Sequence, residues 1–332
     1  MKKKFNVAVV GVGAVGEEML RVLAQRRFPI NELKVFARSS REIFVDNQKY
    51  SVQKISAEAF AGIDVALFAG TEGEKGAAVT YAPEAKKRGA VVVDNGADFR
   101  LKKDVPLVVP EVNPRDVKKH KGIIANPNCS TIQFVVAIWP IYKAAGIKRA
   151  IVCSYQAVSG AGRGGVRQLE GEYKGENAQI AAFAYRISKN VIPQIGGFGP
   201  FDYTSEEWKM VNETRKILHD KKIRVSATCV RVPVVTGHSE AVYLETKKEI
   251  SLKRVRAILS KSRGIKLIDK PEKSAFPLPI DAAGTDDVFI GRIRKDPFVK
   301  NGLWLWVVAD NLRKGAALNA VQIAELVCAI SK

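Results

Sequence analysis

Phe5-Asn6-Val7-Ala8-Val9-Val10-Gly11-Val12-Gly13-Ala14-Val15-Gly16-Glu17 runs from an apolar stretch through a glycine-rich turn into a helical stretch that begins near Glu17. Residues 11–16 spell GxGxxG between a predicted strand and a predicted helix. Glycines at that spacing allow a tight turn and a close approach of the backbone to a pyrophosphate. The phosphates then rest on the helix N-terminus, with its unpaired N–H groups and positive dipole end. Such turns also serve as plain packing devices, but the flanking strand and helix favour a dinucleotide held by Gly11, Val12, Gly13, Ala14, Val15 and Gly16.

Outward from this turn, further apolar runs occupy 33–37, 65–69 and 90–94, separated by helix-length segments such as 17–25. Strands alternating with helices predict a parallel sheet with covering helices, a doubly wound, Rossmann-like α/β domain. The end of the run at 33–37 discriminates between the nicotinamide cofactors. An NAD-binding chain usually carries Asp or Glu there for the ribose hydroxyls, whereas this chain has Arg38, Ser39, Ser40 and Arg41. Two cations and two hydroxyls suit a 2′-phosphate, so NADP(H) is the expected cofactor. The alternative is a solvated basic turn.

Beyond about residue 130 the texture changes to long polar segments, glycine clusters at 159–165 and 196–199, and alternating strands at 224–235 and 303–308. That pattern predicts a second, α+β domain whose sheet is exposed on one face. Residues 315–330 read as an apolar-faced terminal helix.

The 332 residues, 46% hydrophobic and 27% charged, suffice for two cores. No run approaches membrane-spanning length, and the basic tip leads into the first strand without a cleavage signal, so a soluble, unprocessed chain is expected. The four cysteines, Cys129, Cys153, Cys229 and Cys328, are far apart and show no metal-ligand spacing, which argues against disulfides and zinc and fits a reducing cytoplasm. Subtracting 34 acidic from 54 basic residues leaves +20. This raises nucleic acid as a partner, yet the basic groups at 2–4, 118–121 and 221–224 are dispersed and lack interleaved aromatics. A solvated basic surface that favours anionic small molecules is preferred, with no nucleic-acid and no membrane partner.

Asn126-Pro127-Asn128-Cys129-Ser130-Thr131 precedes an apolar segment at 132–145 that reads as a helix capped by Ser130 or Asn128. Unpaired backbone donors and the dipole lower the pKa of a cysteine placed there, and the same N–H groups can hold an oxyanion. Cys153 and Cys229 lie in strand-like runs and Cys328 on the terminal helix, where buried structural thiols are expected. Of the three histidines, His120 and His219 sit among charges. His238 stands in an uncharged turn after the strand ending at Val235, either as a catalytic group or as a satisfied turn residue.

With these pieces assembled, the chain resembles the bacterial aspartate-β-semialdehyde dehydrogenase family over nearly its whole length. The matching stretches are residues 11–16, Asp94-Asn95-Gly96-Ala97-Asp98-Phe99-Arg100, 126–131 and Tyr155-Gln156-Ala157-Val158-Ser159-Gly160-Ala161-Gly162. They continue with Glu206-Glu207-Trp208-Lys209, Glu213-Thr214-Arg215-Lys216, Arg231-Val232-Pro233, His238-Ser239-Glu240 and Ala309-Asp310-Asn311-Leu312-Arg313-Lys314-Gly315-Ala316-Ala317, all in the family's order. The resemblance implies NADPH-dependent reduction of β-aspartyl phosphate to the semialdehyde through a cysteine thioester. It implies Cys129 as nucleophile, His238 as acid/base and Gln156 as the group that orients the intermediate. Arg231 would clamp the substrate α-carboxylate, Glu206 would hold its ammonium, and Arg100, Asn128 and Lys209 would line the exit of phosphate. Ser159, Gly160 and Gly162 would lie beside the nicotinamide, with Asn311 on its carboxamide.

The resemblance further implies that the chain returns to the cofactor domain near its end, giving 1–128 plus 312–332 and 129–311, and that the protein is a homodimer. Taken one by one, the same residues have plainer readings. Arg100 and Arg231 could sit in surface ion pairs, Glu206 and Lys209 could form an ordinary i,i+3 helix pair, and Gln156 could be an edge-strand amide. The sequence departs from the family at Val12 and Gly13, where Ala and Thr are usual, and at the loosely matching 36–41. The 70–74 loop is also more acidic. Other acyl-phosphate reductases and acyl-CoA reductases are the rival activities. They need not keep Glu206 with Arg231, or the phosphate set, respectively.

Overall fold

The computed structural model describes residues 3–70, 76–176 and 182–330, so most of the acidic 70–74 loop and Lys2 lie outside the described residues. The chain divides into two compact units, Met1–Asn128 with Ala316–Lys332, and Cys129–Gly315. The return therefore falls at 315/316, a few residues after the expected 312.

The first unit begins with β1 (Phe5–Val10), α1 (Ala14–Gln25), β2 (Ile30–Ala37), β3 (Arg41–Val45), β4 (Gln48–Lys54), β5 (Val65–Phe68), α2 (Ala77–Lys87), β6 (Val91–Asp94) and β7 (Ile123–Ala125). The second unit holds α3 (Cys129–Ala145), β8 (Ile147–Gln156), α4 (Gly162–Tyr173), α5 (Ser205–Ile217), β9 (Arg224–Arg231), β10 (His238–Thr246), α6 (Leu252–Leu259), β11 (Ile265–Leu267), α7 (Pro279–Ala282), β12 (Val288–Lys295) and β13 (Gly302–Ala309). A wide π turn, Arg313–Ala317, leads into α8 (Leu318–Ile330), which belongs to the first unit.

In the first sheet the order is β3-β4-β2-β1-β5-β6-β7, parallel except for β3. Right-handed crossovers out of β1 and β5 run in opposite directions, which puts α1 and α2 on opposite faces. Val7, Val9, Val35, Leu67 and Val93 pack with Met19, Leu20 and Leu23 of α1 and with Val321, Ala324 and Val327 of α8. On the other face Phe36 and Phe68 meet through Phe60. The order reverses at β1, and the glycine turn lies at that strand's C-terminal end, where open α/β sheets bind ligands. The β3–β4 hairpin was not expected from the sequence. Its strands are mostly polar, and its turn is made by Asp46 and Asn47 at φ +49° and +64°, the left-handed pair that tight hairpins require.

The second sheet, β11-β12-β13-β10-β8-β9, is mixed, with β10 antiparallel to β8 and β13. Helices α3, α5 and α6 cover one face, while along β8 Ile151, Cys153 and Tyr155 on the other are partly exposed. The strand expected at 224–235 ends at Arg231. The terminal helix begins at Leu318, later than the expected 315, because the π turn intervenes. Cys153, expected to be buried, is partly exposed because its strand parity turns it to the open face, whereas Cys229 and Cys328 are buried.

α1 begins at Ala14 rather than near Glu17, so the last glycine of the turn is already helical. A β-carbon on Gly16 would meet the Gly11 carbonyl oxygen at 1.9 Å, whereas one on Gly13 would meet nothing within 4 Å. Gly16→Ala is therefore expected to lower stability by about 1–3 kcal/mol through forced displacement of that turn, and Gly13→Ala to change it by less than about 0.5 kcal/mol. Chemical denaturation of both variants checks the difference.

Candidate active site

Helix α3 is apolar on all sides because β8, β10, β12 and β13 pack against it, as do its layer neighbours α5 and α6. Its first residue is Cys129, the start that goes with Asn128, not Ser130, as the residue before the helix. Asn128 immediately precedes it and Ser130 lies inside the first turn. Cys129 thus sits among the N–H groups that an α-helix leaves without internal partners, at the positive end of the dipole. Its thiol is partly exposed, in contrast to Cys229, whose thiol pKa burial drives upward. Gly315 lies close beside it: a β-carbon there would come within 2.9 Å of Cys129 Cβ.

Gln156 ends β8 and pairs in register with Arg231, which ends β9. Both are buried. Neither is a surface group, and β8 is an interior strand, which removes the plainer readings of these two residues. Gln156 Nε2 donates to Glu206 Oε1 at 3.2 Å and to Ser154 Oγ at 3.2 Å. Glu206 lies in the first turn of α5, fixed by a Thr204/Glu207 capping box, and faces Lys209 Nζ at 3.6 Å, so the i,i+3 pair exists and is part of this cluster. Arg231 donates from Nη1 to the Ala157 carbonyl at 2.7 Å and lies over the Phe183 ring at 5.6 Å. Burial lowers the Arg231 pKa, and Glu206 and the Cys129 thiolate oppose that shift. By reciprocity, the guanidinium favours the ionised form of Cys129.

His238 does not stand in an open turn. It is the first residue of β10 and is fully buried, because Gly237, at φ +99°, reverses the chain just ahead of it. Ala157 N–H donates to its Nδ1 at 3.0 Å. Burial, then the nearby Arg231 charge, hold its pKa well below the usual imidazole value. A β-carbon at Gly160 would lie 2.8 Å from Arg231 Nη1 and 3.2 Å from His238 Nε2, so glycine keeps open the space those two groups share. Asn311 Oδ1 accepts from Gly237 N–H at 2.9 Å, and its Nδ2 donates to Ser159 Oγ at 3.0 Å, joining Asn311 and Ser159 to the approach to His238. Gly162, at φ +71°, opens α4.

Three groups near these residues have no role in the sequence reading. Phe183 carries no sequence signal. Gln133 lies one helical turn beyond Cys129 on the same face and donates to the His238 carbonyl at 3.4 Å. Glu240 shares the helix-covered side of β10 with His238, which strand alternation would have shown had the strand start been known. Burial raises the Glu240 pKa well above the usual carboxylate range, and the neighbouring Gln133 amide opposes part of that shift.

The remaining expected residues lie in the first unit. Arg100 is buried and donates from Nε to the Asn126 carbonyl at 3.0 Å and from Nη2 to that of Asn95 at 2.8 Å. Arg38, Ser39, Ser40 and Arg41 are exposed after β2. Ser40 Oγ accepts from Lys54 N–H at 3.0 Å, and Arg41 Nη1 donates to Ser39 Oγ at 3.2 Å. The glycine turn fits a pyrophosphate. Gly11, at φ +96°, adopts a conformation open to glycine, and no side chain caps the exposed Gly13 at the start of α1. Among the described residues no cluster of His, Cys, Asp or Glu could hold a metal, and no helix is long and apolar enough to cross a membrane.

Residues 6–120 match the NAD binding domain of semialdehyde dehydrogenases, and residues 138–314 match their dimerisation domain. The aspartate-semialdehyde dehydrogenase of Aquifex aeolicus (strain VF5) is 51% identical across 97% of this chain and 97% of its own length. The chain belongs to the aspartate-semialdehyde dehydrogenase family. The Bacillus subtilis (strain 168) member is 45% identical over 98% of both chains. The crystal structure of aspartate semialdehyde dehydrogenase II from Vibrio cholerae, complexed with ASA, matches with a TM-score of 0.93 at 46% identity, covering 98% of each chain. The NAD binding match covers the glycine turn, and the dimerisation match covers Gln156, Glu206, Arg231 and His238. Cys129 falls between the two matched spans of this family member.

The raised pKa of Glu240 has a consequence for stability. An acid whose folded pKa lies above its unfolded value near 4.5 contributes most below that value, and the contribution is lost as pH rises toward the folded pKa. Glu240→Gln removes this titration while keeping the shape. The gain in melting temperature over wild type should therefore grow as pH rises above the unfolded value; a gain independent of pH would mean the carboxyl is not held neutral.

Proposed function

We propose that the protein is an NADPH-dependent aspartate-semialdehyde dehydrogenase that reduces β-aspartyl phosphate to aspartate β-semialdehyde and phosphate, a step in the biosynthesis of lysine, threonine and methionine. The observation that carries this reading is Cys129 at the start of a buried helix, in a unit that also supplies a neutral imidazole and a buried guanidinium. The thiolate attacks the acyl carbon, and the carbonyl electron pair moves to oxygen. Collapse expels phosphate and leaves the acyl group on Cys129 as a thioester. The dinucleotide, when bound, supplies the hydride that reduces it.

Arg231 clamps the α-carboxylate through charge-assisted hydrogen bonds. Glu206, already paired with Gln156 and Lys209, holds the α-ammonium, and this acidic group is what distinguishes the proposed substrate from acyl phosphates that lack a free amine. Gln156 orients the acyl group, and His238 serves its oxygen. Arg100, Asn128 and Lys209 take the departing phosphate, in keeping with the family resemblance. Asn311, Ser159, Gly160 and Gly162 form the nicotinamide side, and the residue 11–16 turn takes the pyrophosphate.

Arg38 fits the 2′-phosphate better than Arg41, whose guanidinium is engaged with Ser39. The matched dimerisation domain and the partly exposed face of β8 support a homodimer. The free thiols suit a cytoplasmic setting.

The test is phosphate-dependent reduction of NADP⁺ by aspartate semialdehyde. Cys129→Ala should abolish turnover, and His238→Ala should reduce kcat by roughly two to four orders of magnitude. Replacing NADP⁺ by NAD⁺ should weaken the reaction. Undiminished turnover by Cys129→Ala would overturn the proposal, and a preference for NAD⁺ would overturn the cofactor assignment.

A further inference from the structure

The basic run Lys118-Lys119-His120-Lys121 has no place in the chemistry above, and its members part company in the fold. Lys119 Nζ meets Asp116 Oδ1 at 2.6 Å. Lys121 instead lines a cavity of about 150 Å³ beside β7, the last strand of the first sheet, together with Lys86 of α2 and with Lys102 and Asp104 from the turn after Phe99. The buried side chains of Phe99, Val105 and Ile123 give the same cavity an apolar side.

Local geometry fixes the cations there. Gly122 has φ +95°, and a β-carbon on it would lie 2.7 Å from Lys86 Cγ, so the Lys86 stem crosses the chain at the one residue that leaves it room. Gly122 N–H also donates to His120 Nδ1 at 3.0 Å, closing the turn that carries Lys121. Lys102 Nζ lies 4.4 Å from the centre of the Phe99 ring, which places a third ammonium over the apolar side. No carboxylate among the described residues pairs with Lys86 or Lys121. A concave surface lined by three ammoniums and one carboxylate concentrates anions. Ammonium groups serve phosphate oxygens as point charges, whereas a planar carboxylate is matched by a guanidinium fork, and no arginine lines this cavity. The space equals about five water molecules at about 30 Å³ each, enough for a phosphate group with a short organic body.

We propose that this cavity is a binding site for a small phosphate monoester, with the phosphate among Lys86, Lys102 and Lys121 and the apolar body against Phe99, Val105 and Ile123. Free phosphate satisfies the charged half of that recognition and leaves the apolar half unused. The walls also belong to segments that hold a residue of the proposed reaction. Phe99 is followed by Arg100, whose guanidinium rests on the Asn95 and Asn126 carbonyls, and Ile123 lies three residues ahead of Asn126 on the same chain segment. A bound ester therefore braces the two stretches on which Arg100 rests, without using Arg100 itself.

The experiment is a titration of the full chain, carrying ¹³C-labelled isoleucine methyl groups, with phenyl phosphate at constant ionic strength, which keeps general screening fixed. The Ile123 signal is assigned by its loss in Ile123→Val. In the wild type that signal should shift and saturate as the phenyl ring comes to lie beside it. Inorganic phosphate should bind at least about fivefold more weakly, for want of apolar surface to bury. Lys86→Met/Lys121→Met keeps both stems and removes both charges. It should weaken phenyl phosphate binding at Ile123 by at least about tenfold, as loss of charge-assisted contacts allows.

Both lysines are exposed, so the fold should survive their replacement, and the wild-type titration decides the site without them. An Ile123 signal that phenyl phosphate does not move, or one that titrates equally in the double variant, would overturn the site. Equal affinity for inorganic phosphate and phenyl phosphate would overturn the ester as its ligand. The readout uses no turnover, so its outcome is separate from that of the reaction proposed above.

Discussion

The start of α3 is the constraint on which the chemistry rests. A helix of 17 residues buried on nearly every side cannot shift or fray without opening the core of the second unit, so its first turn is held in place by packing far from the reacting atoms. Placing Cys129 as the first helical residue gives the thiol both the first-turn N–H groups, which find no carbonyl partner inside the helix, and the dipole of that helix. Each effect is modest alone, about 0.3–1 kcal/mol for an exposed charge at a helix end. Near Arg231 and under partial burial the effects reinforce one another, because less water screens them.

Around that thiol, charge is rationed by burial. His238 and Glu240 lie on one side of β10, fully enclosed, and both are driven toward their neutral forms, the first by loss of a proton and the second by keeping one. Arg231 is backed by Glu206, which also faces Lys209, and is hydrogen-bonded to the Ala157 carbonyl. A positive, largely dry site with uncharged donors suits an anionic substrate whose reaction builds negative charge on oxygen. The three-residue run His238-Ser239-Glu240 thereby acquires a common explanation: alternate residues face the helix layer, and both ionisable ones are neutralised there.

Much of this was legible in the residues, and the failures have physical causes. The glycine turn and the apolar runs on either side announced the parallel sheet, because a strand buried on both faces reads as a continuous apolar stretch. Cys129 was recognisable because Asn and Pro precede an apolar helix at that point. The β3–β4 hairpin escaped notice because its strands alternate among charged residues at a sheet edge. His238 was placed in a turn because Gly237 and its neighbours carry no charge, yet that glycine's left-handed backbone sends the histidine into the sheet. Asp310, which accepts hydrogen bonds from Leu312, Arg313 and Gly284, explains why the stretch from 309 onward is so particular, a structural reason that composition alone does not disclose. Backbone contacts such as those of Ala157 leave no trace in a sequence at all.

Covalent capture at position 129 is the step from which all else follows, and mass spectrometry reads it directly. Protein mixed with β-aspartyl phosphate in the absence of dinucleotide should gain one acyl group, located on the peptide that contains Cys129 and released by hydroxylamine. An unmodified protein, or an acyl group found on Cys153, Cys229 or Cys328, would contradict it.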